Sequence, residues 1–160
     1  MDYVLIPGAS GRAWYWHLVV PRLVERGHRA IAVELPADDD TKGLSDYAQA
    51  VFDAAGTARE IVVVASSLGA FTAPSDVLAT ATPKGDQSRR PFRDPCAFAA
   101  WSVSVTVIAS RDDRAFPLEF QQELARTRLG VEPVVVAGGH LAALSQPDEL
   151  TAAILAATAS

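Results

Sequence analysis

The sequence predicts an α/β protein, a three-layer α/β/α sandwich around a mostly parallel sheet. Three observations carry this reading. Five short runs rich in valine and isoleucine recur, at residues 3–6, 29–33, 61–64, 103–108 and 131–136. Each is nearly continuous rather than alternating, as strands buried on both faces of a parallel sheet are. Helix signals fill the stretches between them, so strand and helix take turns, and right-handed crossovers then set helices on both faces.

Taken in order, the first run ends in a Gly-rich turn, Pro7-Gly8-Ala9-Ser10-Gly11. A helix over 14–26 follows and stops at Gly27, a C-terminal signal. After the second run, Asp38-Asp39-Asp40 reads as a solvated loop, its consecutive spacing poor for a calcium site. Ser45 is a fair N-cap for a helix to Ala55, which stops near Gly56. The third run, 61–64, drives into Ala65-Ser66-Ser67-Leu68-Gly69. The fourth leads to a helix over 118–129, closed by Gly130. The fifth leads through Gly138-Gly139-His140 to a last helix over 148–157, begun by Pro147. Only residues 74–101 break the rhythm. They hold Pro74, Pro83, Pro91 and Pro95 and read as loop, with 77–82 a short, poor strand.

A chain of 160 residues suggests one domain over 1–160, with a shortened linker at about 74–101. Its net charge of −5 and the lack of a Lys/Arg stripe argue against a nucleic-acid partner. Cys96 is the only cysteine, which excludes a disulfide framework within the chain and fits a reducing setting. The start, MDYVLIPGASGR, lacks a basic segment followed by a long apolar one. No apolar run reaches the ~18 residues of a spanning helix. The expectation is a cytoplasmic protein without a membrane partner.

The stretch 65–69 has the pattern small-x-Ser-x-small directly after a buried strand. A sharp strand-to-helix bend needs small residues two before and two after its apex, because the backbone crowds itself there. Ala65 and Gly69 flank Ser67 at those offsets, whereas Ser66 would put Val64 and Leu68 in the crowded places. Ser67 is therefore the candidate nucleophile. A hydroxyl needs a base to take its proton. His140 lies just past the last strand, at the edge where parallel sheets collect their functional groups. His28 precedes a strand and reads as structural, and His17 as a surface or packed histidine. The base needs a carboxylate to fix its tautomer, and Asp112 and Asp113 both follow the fourth run. An oxyanion needs donors, and the backbone N–H groups of Leu68 and Ala9 are the candidates.

These residues resemble the α/β-hydrolase fold family, in particular the branch of small serine esterases, plant methylesterases and hydroxynitrile lyases. "LIPGASGRAWYWHLVVPRLVERGHRAIAVELPADD" is similar to that branch from first strand to second. "VVVASSLGAFTAP" resembles its nucleophile elbow, "VIASRDDRAFP" its acid loop and "AGGHLAALSQPDEL" its histidine loop. In the acid loop the carboxylate stands four residues before a proline, which picks Asp113, with Pro117 following. The resemblance departs at Pro7, Ser66 and Ser110, and most in the shortness of the stretch between Ser67 and Asp113, where the family carries a further strand, a helix and a cap. It implies a reduced α/β-hydrolase fold with the elbow strand pairing directly with the fourth run unless residues 77–82 fill in. It implies a serine hydrolase cleaving small carboxylic esters through an acyl-enzyme on Ser67, without cofactor or metal. Gly8, Trp14 and Leu141 are expected to line the substrate site. Apolar surface left by a missing cap would favour a homodimer. Two other readings stay open: a degenerate, non-catalytic scaffold binding a small ligand or partner, and a hydroxynitrile lyase. The lyases carry a lysine and a threonine where Leu141 and Ala9 stand, which favours the esterase.

Overall fold

The computed structural model describes residues 1–71, 90 and 103–159. The expected strand at 77–82, the linker at about 74–101 and Cys96 fall mainly or wholly outside them. The chain gathers into two compact units, Met1–Ala99 and Ala100–Ser160. Each unit is α/β, with parallel strands joined by helices.

The first unit is built on β1 (Asp2–Ile6), β2 (Arg29–Ala32) and β3 (Ile61–Ala65), a parallel sheet in the order β2-β1-β3. Tyr3, Val4, Leu5 and Ile6 of the central strand are all buried, which is why that run shows no polar alternation. The chain steps from β1 to β2 through α1 (Val19–Val24), then back across β1 to β3 through α2 (Leu44–Ala55). Two right-handed crossovers running in opposite directions put the two helices on opposite faces. Val4 and Ile6 accordingly share a core with Leu44, Tyr47, Val51 and Ala55 of α2, together with Val33, Leu35 and Ala37.

Local chemistry moves several expected boundaries. A helix over 14–26 would place Pro21 in its interior. The chain instead makes a 3₁₀ turn at Ala13–Trp16 and starts α1 at Val19, leaving Pro21 in the first turn, where its missing N–H is harmless. Ser45 is not the cap of α2. Gly43 is, its N–H donating to Asp46 Oδ2 at 2.9 Å, and Ser45 lies in the first turn. Nor is the aspartate run merely solvated: Asp38 Oδ2 accepts from Arg12 at 3.1 Å, and Asp39 Oδ1 from the Thr41 N–H at 2.8 Å.

The second unit pairs β4 (Ile108–Ser110) with β5 (Val134–Val136), again in parallel. Both strands are shorter than the runs that announced them. Pro133 has no N–H, so the ladder begins at Val134, whose N–H donates to the Val107 carbonyl at 2.8 Å. Residues 103–107, β-branched as they are, have no described strand to pair with, and Val103 is 66% exposed. Propensity without a partner makes no strand. α3 (Leu118–Leu124) packs on β4 and widens into a π turn at Ala125–Leu129, closed by Gly130 at φ +69°. A short α4 (Ala142–Ser145) precedes α5 (Pro147–Ala156), which starts on its proline as expected and packs on β5. Among the described residues, β3 pairs with β1 and β4 with β5. No described helix is long and apolar enough to cross a membrane.

Candidate active site

In the first unit, β1 and β3 are adjacent and in register through Ile6↔Ala65. The turns leaving their C-terminal ends must therefore meet. The Ser66 N–H donates to the Ile6 carbonyl at 3.1 Å, extending the ladder one residue, and the chain then bends into a 3₁₀ turn at Ser67–Phe71. No longer helix is described at the elbow. Ser67 stands at the bend with φ +51°, in the left-handed region that a non-glycine residue occupies only under local constraint. Its side chain is exposed.

Gly69 shows why the elbow needs a small residue. A Cβ there would collide with the Pro7 carbonyl oxygen and come within 2.9 Å of that of Ile6. On the other side, a Cβ on Gly8 would come within 3.0 Å of Ser67 Cβ and 3.2 Å of the Ser66 carbonyl. The two turns touch through glycines. The turn after β1 is closed by the Gly11 N–H donating to the Gly8 carbonyl at 3.1 Å. Ala9, at its exposed tip, has no hydrogen bond on its N–H among the described residues. Leu68 is buried below the bend, 7% exposed.

The neighbouring serine has a different partner. Ser66 Oγ donates to the Tyr15 hydroxyl at 3.3 Å. Sequence reasoning passed over Tyr15, because only strand pairing brings positions so far apart in the chain together. It also passed over Glu34, whose Oε2 accepts the Ala13 N–H at 2.6 Å while Oε1 takes Arg12 at 2.9 Å, fixing the exit of the Gly-rich turn. Trp14 is 64% exposed, its ring stacked on His17 at 4.5 Å. His28 packs edge-on to Tyr3 at 5.1 Å, a structural contact.

The second unit joins two more candidates. His140 Nδ1 lies 2.8 Å from Asp113 Oδ2. The other carboxylate oxygen, Oδ1, accepts the N–H groups of Ala115 at 2.8 Å and Phe116 at 3.0 Å. Burial, which leaves the Asp113 side chain 5% exposed, pushes its carboxyl up. The hydrogen bonds from Phe116, His140 and Ala115 outweigh that and hold it below the usual carboxylate range. An ionised carboxylate only accepts, so His140 donates to it from Nδ1. The Phe116 ring packs beside the imidazole, centroids 5.3 Å apart. Leu141, next in the chain, is 54% exposed. Asp112 has a different partner: its Oδ2 accepts the Gly138 N–H at 3.0 Å.

A sharply bent serine at the end of a parallel strand, on this architecture, defines a class. The chain belongs to the alpha/beta hydrolase family, whose model matches residues 3–95. Methylesterase 9 of Arabidopsis thaliana is 35% identical over 81 residues, covering 44% of this chain. That alignment covers 32% of the relative, so the match spans about a third of its length. Among solved structures, polyneuridine aldehyde esterase aligns with a TM-score of 0.77 at 16% identity over 98% of each chain. The methylesterase MES16 from Arabidopsis aligns at 0.74 and 15% identity over 99% of this chain and 98% of its own. A pyrethroid hydrolase from Sphingobium faniae JZ-2 aligns at 0.74 and 18% identity over the same shares. At these identities the likeness is one of fold.

Proposed function

We propose that the protein is a serine hydrolase of small carboxylic esters that works through an acyl-enzyme on Ser67. The observation that carries this is the His140–Asp113 pair at 2.8 Å, with the carboxylate held ionised. A loop histidine with no role has no need of a buried carboxylate fixing its tautomer. The left-handed bend at Ser67 supports the reading from the other unit, as do the activities for which the similar proteins are named: methylesterase, polyneuridine aldehyde esterase and pyrethroid hydrolase.

In this mechanism Ser67 Oγ attacks the ester carbonyl while His140 Nε2 takes its proton. The carbonyl electrons move onto oxygen, and the N–H groups of Ala9 and Leu68 hold the resulting oxyanion. Asp113 steadies the imidazolium. The intermediate collapses, His140 returns the proton to the leaving alcohol, and the acyl group stays on Ser67. Water, deprotonated by His140, then attacks the acyl carbon and releases the acid and the free serine. Gly8, beside Ser67, together with Trp14 and Leu141, contributes to the substrate wall.

Labelling with a fluorophosphonate, alongside turnover of a chain-length panel of p-nitrophenyl esters, tests the proposal. The parent should label and hydrolyse the short esters, and Ser67→Ala should do neither. Labelling of Ser67→Ala at the parental level would remove Ser67 from its role. A folded parent that neither labels nor turns over an ester would overturn the hydrolase reading.

A further inference from the structure

The acid loop has two adjacent aspartates, and the mechanism uses only Asp113. Asp112 does something else. Its own N–H donates to the Gly138 carbonyl at 2.9 Å, and its Oδ2 accepts the Gly138 N–H at 3.0 Å. It thus grips both polar backbone groups of one residue, two positions before His140. One residue earlier, the Ala137 N–H donates to Glu149 Oε1 at 2.9 Å, from the first turn of α5. With Asp113 on the ring, three carboxylates take the N–H of 137, the N–H of 138 and the imidazole of 140. The loop is also wedged from behind. Gly138 has φ +87°, and a Cβ on it would come within 2.8 Å of both Ser145 Oγ and Gln146 Cγ.

This span begins where the β4–β5 ladder ends at Val136, so no strand partner fixes it. A general base must nevertheless be placed within about 0.5 Å of its productive position, and a 1 Å misplacement costs about 100-fold. We infer that Asp112 and Glu149 are positioning residues, a carboxylate clamp on the histidine loop that sets the reach of His140. The inference rests on the reading of His140 as the general base. Neither carboxylate touches substrate; both act through the backbone on the imidazole.

The test compares Asp112→Ala, Asp112→Asn and Glu149→Ala in the full chain. It reads kcat and KM on p-nitrophenyl acetate, thermal unfolding, and the NMR resonance of the His140 Nδ1–H proton. Asp112→Ala and Glu149→Ala should each lower kcat about tenfold with KM little changed, against a ceiling of about 100-fold for 1 Å of misplacement. The Nδ1–H resonance should broaden as exchange with water speeds up. Asp112→Asn keeps an acceptor oxygen and should restore most of kcat. Folded alanine variants with a parental kcat and a parental resonance overturn the clamp, even if they melt earlier. So does an Asp112→Asn variant as impaired as Asp112→Ala, which would make the effect one of charge. If Asp112→Ala does not fold, Glu149→Ala decides by the same readouts. A parent with no esterase activity refutes the proposed function, and the resonance still reports on the clamp.

Discussion

Replacing Asp113 by asparagine separates orientation from shape. The backbone dictates how the amide must sit. Oδ1 of Asp113 accepts two N–H groups, from Ala115 at 2.8 Å and Phe116 at 3.0 Å, so the amide oxygen takes that place. The NH₂ group then occupies the position of Oδ2, 2.8 Å from His140 Nδ1. A donor facing Nδ1 forces it to accept, the proton moves to Nε2, and the nitrogen proposed to deprotonate Ser67 no longer has a lone pair. The same loss of tautomer in a Ser-His-Asp triad costs about 10⁴-fold in kcat, roughly 5.5 kcal/mol of barrier. Stability should change far less. Exchanging charged for neutral hydrogen bonds costs about 1–2 kcal/mol, and each of those lowers Tm by about 2–4 °C in a chain of this size. The assay is kcat on p-nitrophenyl acetate beside a thermal melt. A variant that folds as the parent does and keeps kcat within tenfold would refute the assignment of Asp113, and with it the tautomer argument.

Gly69→Ala should both destabilise and inactivate. Its methyl group meets the carbonyl oxygens of Pro7 and Ile6, backbone atoms at the end of the central strand that cannot yield. Overpacking of this kind costs about 1–3 kcal/mol, and a melt and ester turnover equal to the parent's would contradict it. The acid limb of stability should report Asp113. Its folded pKa lies below the unfolded value of about 3.9. Its contribution is therefore complete above that unfolded value and is lost as pH falls through the folded one. Urea titrations from pH 6 downward should show a steeper loss in the parent than in Asp113→Asn, and parallel curves would count against a depressed carboxyl.

The sharp turn at Ser67 could be read in the sequence because its constraint is local. Ala65 and Gly69 are small where the bend allows nothing larger, and their spacing around Ser67 is visible without knowing what packs there. The central strand was legible for a similar reason: β1, buried along most of its length, shows no polar alternation. Strand lengths were not. Residues 103–107 look like strand and are not, because pairing stops where Pro133 removes a donor on the other strand. The choice of Asp113 over Asp112 came from likeness to a family, since two neighbouring aspartates differ only in which way each side chain turns. Tyr15 beside Ser66, Glu34 on the Ala13 N–H and Asp112 on Gly138 were invisible for one reason. Each contact joins residues far apart in the chain, and none follows from a local pattern.

The positive φ of Ser67 bears on how such a protein persists. A serine held there lies about 1–2 kcal/mol above its relaxed backbone, a penalty glycine would escape. Sturdiness and reactivity thus pull position 67 in opposite directions. If the proposed reaction were no longer needed, drift would run downhill toward a tougher and inert descendant, so the bend would endure only while selection asked for that reaction.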